Sequence, residues 1–231
     1  MTEEKQHPWV ILFDIDGTLL TVDRKFNRPL IRGILDDLRI DYPDMEKEGF
    51  SGRTDHDILT SFLLNHDFDE ELYQKLKSEY LLRTDSEMNS GHVIRHSHID
   101  EAISFFDKMG AYVGLLTGNY PSAAQAKLKV AGIEYEFKFG AFGEFDKDRN
   151  QLPLIALKEV EKNLNIDPDP SRFVIIGDTP RDVECANFAN MKCVAVTTGR
   201  FSKEELEPFN PNVIISDLSN PEEWFKKVTQ A

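Results

Sequence analysis

Short apolar runs punctuate the chain, and each predicts a buried strand. Residues 9–13 (Trp9-Val-Ile-Leu-Phe13), 111–116 (Ala111-Tyr-Val-Gly-Leu-Leu116) and 172–176 (Arg172-Phe-Val-Ile-Ile176) are nearly continuous apolar stretches, the pattern of strands covered on both faces. Residues 191–198 and 212–216 repeat it. Between the runs the spacing changes to a helical period: Ile99, Ala102, Ile103, Phe106 and Met109 share one face, residues 152–164 behave similarly, and residues 182–190 form a short helix. Strands alternating with helices predict an α/β fold with a doubly wound, parallel, Rossmann-like sheet. Residues just past the C-terminal ends of such strands collect at one rim, where open α/β sheets place their ligands.

Residues 21–95 break the alternation. They carry helical periods, notably over 29–39 and 70–84, and no buried strand is predicted there. Seventy-odd residues are too many for an ordinary crossover. The expected organisation is therefore a core of residues 1–20 and 96–231, with a helical cap of residues 21–95 inserted after the first strand.

Composition narrows the function. The 231 residues include 27 Lys and Arg against 41 Asp and Glu, a net charge of −14. Nucleic acids and anionic membranes both reward a basic face, so neither is expected as a partner. A small phosphorylated metabolite remains compatible if a metal or a few local cations reverse the field at one site. Cys185 and Cys193 both lie in apolar segments and are expected as buried thiols. The N-terminus has no basic stretch followed by an apolar one, and no run approaches the roughly 20 apolar residues of a membrane span. A cytoplasmic monomer is the expectation.

The candidate chemistry sits at the strand ends. Asp14 and Asp16 follow the first run, Thr117-Gly-Asn119 follows the second, and Asp178 and Asp182 follow the third. Four carboxylates at one rim repel one another unless a cation intervenes. A hard divalent ion on oxygen ligands suits them, and Mg²⁺ works with few carboxylates, waters and a phosphate. A hydroxyl and main-chain N–H groups at the following helix start are able to hold a phosphate oxygen. Arg53, in Phe50-Ser-Gly-Arg-Thr-Asp55, lies in an expected turn of the cap from which it reaches a substrate anion. His92, His96 and His98 have a spacing a metal site uses, but they fall where the cap rejoins the core and read as a hinge.

Taken together, these segments resemble the haloacid dehalogenase superfamily, in its phosphoglycolate phosphatase-like and phosphoglucomutase-like branch. Val10-Ile-Leu-Phe-Asp-Ile-Asp-Gly-Thr18 matches its first motif, Val113-Gly-Leu-Leu-Thr-Gly118 its second and Ile175-Ile-Gly-Asp-Thr-Pro-Arg-Asp182 its fourth. The resemblance implies a Mg²⁺-dependent phosphatase acting on a small phosphomonoester through an aspartyl-phosphate. Asp14 is the implied nucleophile and Asp16 the implied general acid and base. Asp14, Asp16 and Asp178 are the implied metal ligands with Asp182 in support, and Thr117, Gly118 and Asn119 the implied phosphoryl-binding groups. A sugar-phosphate mutase is the alternative on the same residues, and a non-catalytic binding protein a more distant one. Dehalogenation is disfavoured because Asp16 is present, and no cap lysine is identified for phosphonate hydrolysis.

The basic residue of the family's third motif is the weakest match, because its usual Lys-Pro pair is missing. Lys147, Arg149 and Lys158 are the candidates. Lys158 falls well inside the helix of residues 152–164, away from the rim. Arg149 precedes that helix, after an expected strand over residues 137–142, and is the favoured candidate because a guanidinium bridges carboxylate and phosphate oxygens.

Overall fold

The computed structural model describes residues 7–42, 49–64, 69–144 and 146–230; the first six residues of the N-terminal segment lie outside them. Six parallel strands form the main sheet in the order β5-β4-β1-β6-β7-β8. They are β1 (Val10–Phe13), β4 (Tyr112–Thr117), β5 (Gly140–Phe142), β6 (Phe173–Gly177), β7 (Lys192–Val196) and β8 (Val213–Ile215). The helices α4 (Ile99–Lys108), α5 (Pro121–Val130), α6 (Leu152–Leu164), α7 (Pro180–Phe188), α8 (Lys203–Leu206) and α9 (Pro221–Gln230) complete this doubly wound α/β unit.

Alternation along β1 divides the core. Ile11 and Phe13 pack with Ile103 and Phe106 of α4, Ala124 of α5 and Trp224 and Phe225 of α9. Val10 and Leu12 face the other way, onto Leu152, Ala156 and Val160 of α6 and Val183 and Ala186 of α7. All of these side chains are at most 7% exposed. At roughly 1.5–3 kcal/mol for each large apolar side chain buried, these two layers carry most of the sheet's stability. Cys185 and Cys193 are buried, free thiols in the second layer.

Residues 21–95 differ in part from expectation. The first helix, α1 (Arg24–Asp37), starts five residues before the predicted 29–39 because Asp23 caps it, accepting from the Lys25 N–H at 2.8 Å. A further short helix, α2 (Asp55–Ser61), is capped by Thr54, and α3 (Glu70–Glu87) runs three residues past the predicted end. A two-stranded antiparallel ribbon, β2 (Leu20–Val22) with β3 (Val93–Arg95), stands where no strand was expected. Three-residue strands are too short to show a period, and each finds its partner about seventy residues away. Leu35 of α1, Leu59 of α2, Phe62 just past the end of α2, and Leu76 and Tyr80 of α3 form a third apolar cluster, which also takes in Tyr120 and Ala123 of the sheet unit. The strand expected over 137–142 is trimmed to its last three residues.

The histidines do not converge. His96 contacts the Thr21 hydroxyl at 3.0 Å, His92 stacks on Phe26 and His98 contacts Glu101 at 2.9 Å. No helix among the described residues is long and apolar enough to cross a membrane.

Candidate active site

Register places the three acidic and polar motifs at one height. Phe13 pairs with Leu115 on one side and Ile176 on the other. Asp14, the residue after Phe13, therefore stands between the ends of β4 and β6, its N–H bonded to the Ile176 carbonyl at 2.9 Å. Strand order runs in opposite senses on the two sides of β1, so Asp14 occupies the switch point of the sheet.

The chain turns sharply after Asp14. The N–H groups of Leu19 and Leu20 both bond to the Ile15 carbonyl, and Gly17 takes φ 88°, a conformation that an L side chain resists. A Cβ at Gly17 would fall on the Asp178 carboxylate, and so would one at Gly199. Bare backbone on two sides thus cradles Asp178. The turn also sends Asp14 and Asp16 to different partners.

Asp14 faces Arg149, whose Nη2 lies 3.1 Å from Asp14 Oδ1 and also pairs with Asp182 Oδ1. Arg149 begins a short 3-10 turn, Arg149–Gln151, and its side chain is only 4% exposed. Asp182 uses its other oxygen for the Thr179 N–H at 2.9 Å and the Thr179 hydroxyl at 2.6 Å, the capping box of α7. Lys147 and Lys158 are both exposed.

Asp16 turns to a different cation. Lys127 Nζ lies 2.6 Å from Asp16 Oδ2, and Asn119 Nδ2 donates to the same oxygen at 2.7 Å. Lys127 also bonds to Asn119 Oδ1, and Asn119 Nδ2 to the Thr117 hydroxyl at 2.7 Å. The Lys127 side chain is 8% exposed. The sequence reading missed this residue, although a signal exists: Ala123, Ala124 and Lys127 share the buried face of α5, and a lysine there needs a partner.

Burial and mutual repulsion raise the carboxyls. Desolvation pushes Asp14 up to about 7, with Asp182 and Asp16 adding to the rise and Arg149 opposing it. Asp178 is pushed well above the usual carboxylate range by burial first, then by Asp182 and Asp14. Its Oδ1 has no hydrogen-bond partner among the described residues. Oxygens of Asp14, Asp178 and Asp182 lie within 4.8 Å of one another. A buried acid with an open oxygen, beside two others in a backbone cradle, suits a hard divalent cation. The residues fit Mg²⁺.

Arg53 reaches the same cleft, but its Nε pairs with Asp57 at 2.6 Å. Next to it the helical segment meets the strand-end loop: the Asp55 N–H bonds to the Gly118 carbonyl at 2.7 Å, and the Asp55 carboxylate accepts the Tyr120 N–H at 2.9 Å. Gly118 has to be a glycine, since a Cβ there would strike the Arg53 carbonyl. The cleft so enclosed measures about 390 Å³ and is lined by Asp14, Asp16, Thr117, Asn119, Lys127 and Asp178 on its floor.

The profile of haloacid dehalogenase-like hydrolases matches residues 11–196, from β1 through β7. The chain belongs to this family. Among its relatives, pyrophosphatase PpaX of Bacillus cereus (strain Q1) is 25% identical over 228 residues, covering 91% of this chain and 93% of that one. Two solved structures share the hydrolase's fold. A hydrolase from Pseudomonas syringae has a TM-score of 0.72 at 18% identity, covering 95% of this chain and 99% of its own. β-Phosphoglucomutase from Clostridium difficile has a TM-score of 0.72 at 21% identity, covering 97% and 98%.

Proposed function

We propose that this hydrolase is a Mg²⁺-dependent phosphatase that cleaves a small phosphomonoester by way of an aspartyl-phosphate on Asp14. The observation that carries the reading is the position of Asp14: a buried carboxylate at the sheet's switch point, facing Arg149, beside the open oxygen of Asp178. Residues 21–95 act as a cap that closes the cleft over a core of residues 1–20 and 96–231.

Asp14 and Asp178, with the Asp16 main-chain carbonyl, would hold Mg²⁺, which supplies charge neutralisation for the phosphoryl oxygens. Asp182 supports that site by fixing Arg149. The Asp14 carboxylate attacks phosphorus in line, and the phosphorus–alkoxide bond breaks. Asp16 gives a proton to the departing alkoxide and then takes one from the water that hydrolyses the acyl phosphate. Thr117 and the amides of Gly118 and Asn119 bind the phosphoryl oxygens, while Asn119 and Lys127 hold Asp16 in place. Arg149 offsets the negative charge that gathers around Asp14.

The test is hydrolysis of 4-nitrophenyl phosphate by the full chain, with Mg²⁺ and then with EDTA. Turnover that requires Mg²⁺, together with a phosphorylated Asp14 peptide after acid quench, supports the reading. A folded protein with no turnover in either condition defeats it.

A further inference from the structure

The loop after β4 takes its shape from a residue outside the sheet unit. Asp55 opens α2, so its N–H is one of the first-turn donors that a helix leaves without an internal partner. That donor goes to the Gly118 carbonyl at 2.7 Å. The Asp55 carboxylate reaches one peptide further and accepts the Tyr120 N–H at 2.9 Å, with the residue only 8% exposed. Capping of α2 falls instead to Thr54, whose hydroxyl accepts the Asp57 N–H at 3.1 Å. The carboxylate of Asp55 is thus left to serve the loop.

Peptide groups are planar, so fixing one end of a peptide fixes the other. The Gly118 carbonyl shares its plane with the Asn119 N–H, one of the groups assigned above to the phosphoryl oxygens. The Tyr120 N–H shares its plane with the Asn119 carbonyl, which the Gly143 N–H holds at 3.1 Å; that same N–H bonds to the Thr117 carbonyl at 2.9 Å. Asp55 therefore grips the peptides on both sides of Asn119. Between them stands the side chain that donates to Asp16 and to the Thr117 hydroxyl, each at 2.7 Å. Gly143 completes the joint, since a Cβ there would run into the Gly118 carbonyl and the Thr54 side chain. Three stretches far apart in sequence meet here, backbone against backbone.

We propose that Asp55 is a positioning residue for the reaction: by gripping both peptides beside Asn119, it sets the amide that receives a phosphoryl oxygen and the Asn119 side chain that holds Asp16. This rests on the phosphatase reading above and adds to it a residue of the helical segment that acts through the loop. Preorganised donors count most where charge develops in the transition state, so the effect belongs to kcat more than to KM.

The test compares wild type, Asp55→Ala, Asp55→Asn and Tyr73→Phe as full chains with Mg²⁺ at pH 7.5. Asp55→Ala leaves the Tyr120 N–H without its acceptor. Its kcat for 4-nitrophenyl phosphate is expected to fall by roughly tenfold or more, with KM changed by less than about threefold. Inhibition by orthovanadate, which adopts the five-coordinate geometry of a transferring phosphoryl group, is expected to weaken by a similar factor. A mere loss of folded protein would leave that inhibition constant unchanged. Asp55→Asn keeps an acceptor oxygen in the same place and is expected to recover most of both losses. Tyr73→Phe breaks the 2.7 Å hydroxyl pair with Tyr120 at the same seam but spares both Asp55 bonds, and its vanadate constant is expected to match wild type. An unchanged vanadate constant in Asp55→Ala overturns the assignment, as does Asp55→Asn or Tyr73→Phe proving as impaired as Asp55→Ala. A folded wild type without turnover defeats the phosphatase reading separately. Calorimetric binding of inorganic phosphate then decides: binding roughly tenfold weaker in Asp55→Ala than in wild type and Asp55→Asn supports the grip, and equal or undetectable binding overturns it.

Discussion

Replacing Arg149 by Met removes one cation from between two buried acids. The Arg149 side chain is 4% exposed, against 5% for Asp14 and none for Asp182, so water cannot substitute for it. Removing one partner of a buried ion pair costs about 3–5 kcal/mol, because a buried charge is left uncompensated. In a domain of 150–250 residues each kcal/mol lowers Tm by roughly 2–4 °C, which gives a fall of about 6–20 °C at pH 7.5 without Mg²⁺. The deficit has a defined pH dependence. Asp14 already titrates at about 7 with Arg149 opposing the rise, and without Arg149 it moves higher. Lowering the pH to about 5.5 protonates it in both proteins, so the gap in Tm narrows. Arg149→Lys keeps the charge but loses the fork and should fall between the two. Lys158→Ala, at an exposed position, should stay within about 0.5 kcal/mol of wild type. Thermal unfolding followed by circular dichroism at the two pH values reads all four proteins, and kcat/KM for Arg149→Met should fall by orders of magnitude. An Arg149→Met protein melting within about 2 °C of wild type at pH 7.5, or with an equal deficit at both pH values, would refute this account.

Other substitutions probe the remaining acids. Asp14→Asn should abolish turnover with an unchanged far-ultraviolet spectrum, since an amide is no anionic nucleophile; activity within about tenfold of wild type would remove Asp14 from that role. Asp178→Asn should weaken Mg²⁺ binding by roughly tenfold or more, measured by calorimetry, with activity partly restored at higher Mg²⁺; unchanged Mg²⁺ affinity contradicts the ligand assignment. Asp55 is raised to about 6, mainly by burial, so the folded protein holds its proton more tightly than the unfolded chain does. Its contribution is therefore present below about pH 4 and lost as the pH rises through about 6, on the order of 3 kcal/mol. Asp55→Asn should flatten urea-derived stability across that window, and parallel curves for the two proteins would rule the effect out.

Much of this molecule follows from local sequence. The runs at β1, β4 and β6 are apolar on both faces, and only the middle of an α/β sandwich accommodates that. Once those strands are parallel and in register, Asp14, Thr117 and Asp178 reach the rim together, because each stands within two residues of the end of its run. The position of Arg149 was similarly accessible, since a residue between a strand end and the next helix cannot be far from that rim. Other features needed the folded chain. Lys127 contacts Asp16 across 111 residues, and a helical period places a lysine on a buried face without naming the carboxylate that neutralises it. The β2–β3 ribbon is three residues long on each side, below the length at which alternation is visible. The seam between Asp55 and the Gly118–Tyr120 loop depends on two backbones approaching so closely that position 118 has no space for a Cβ. Periodicity reports which side of an element avoids water. Which charges meet there is decided by packing between segments far apart in the chain, because the free energy of a buried ion pair exists only once both partners have left water.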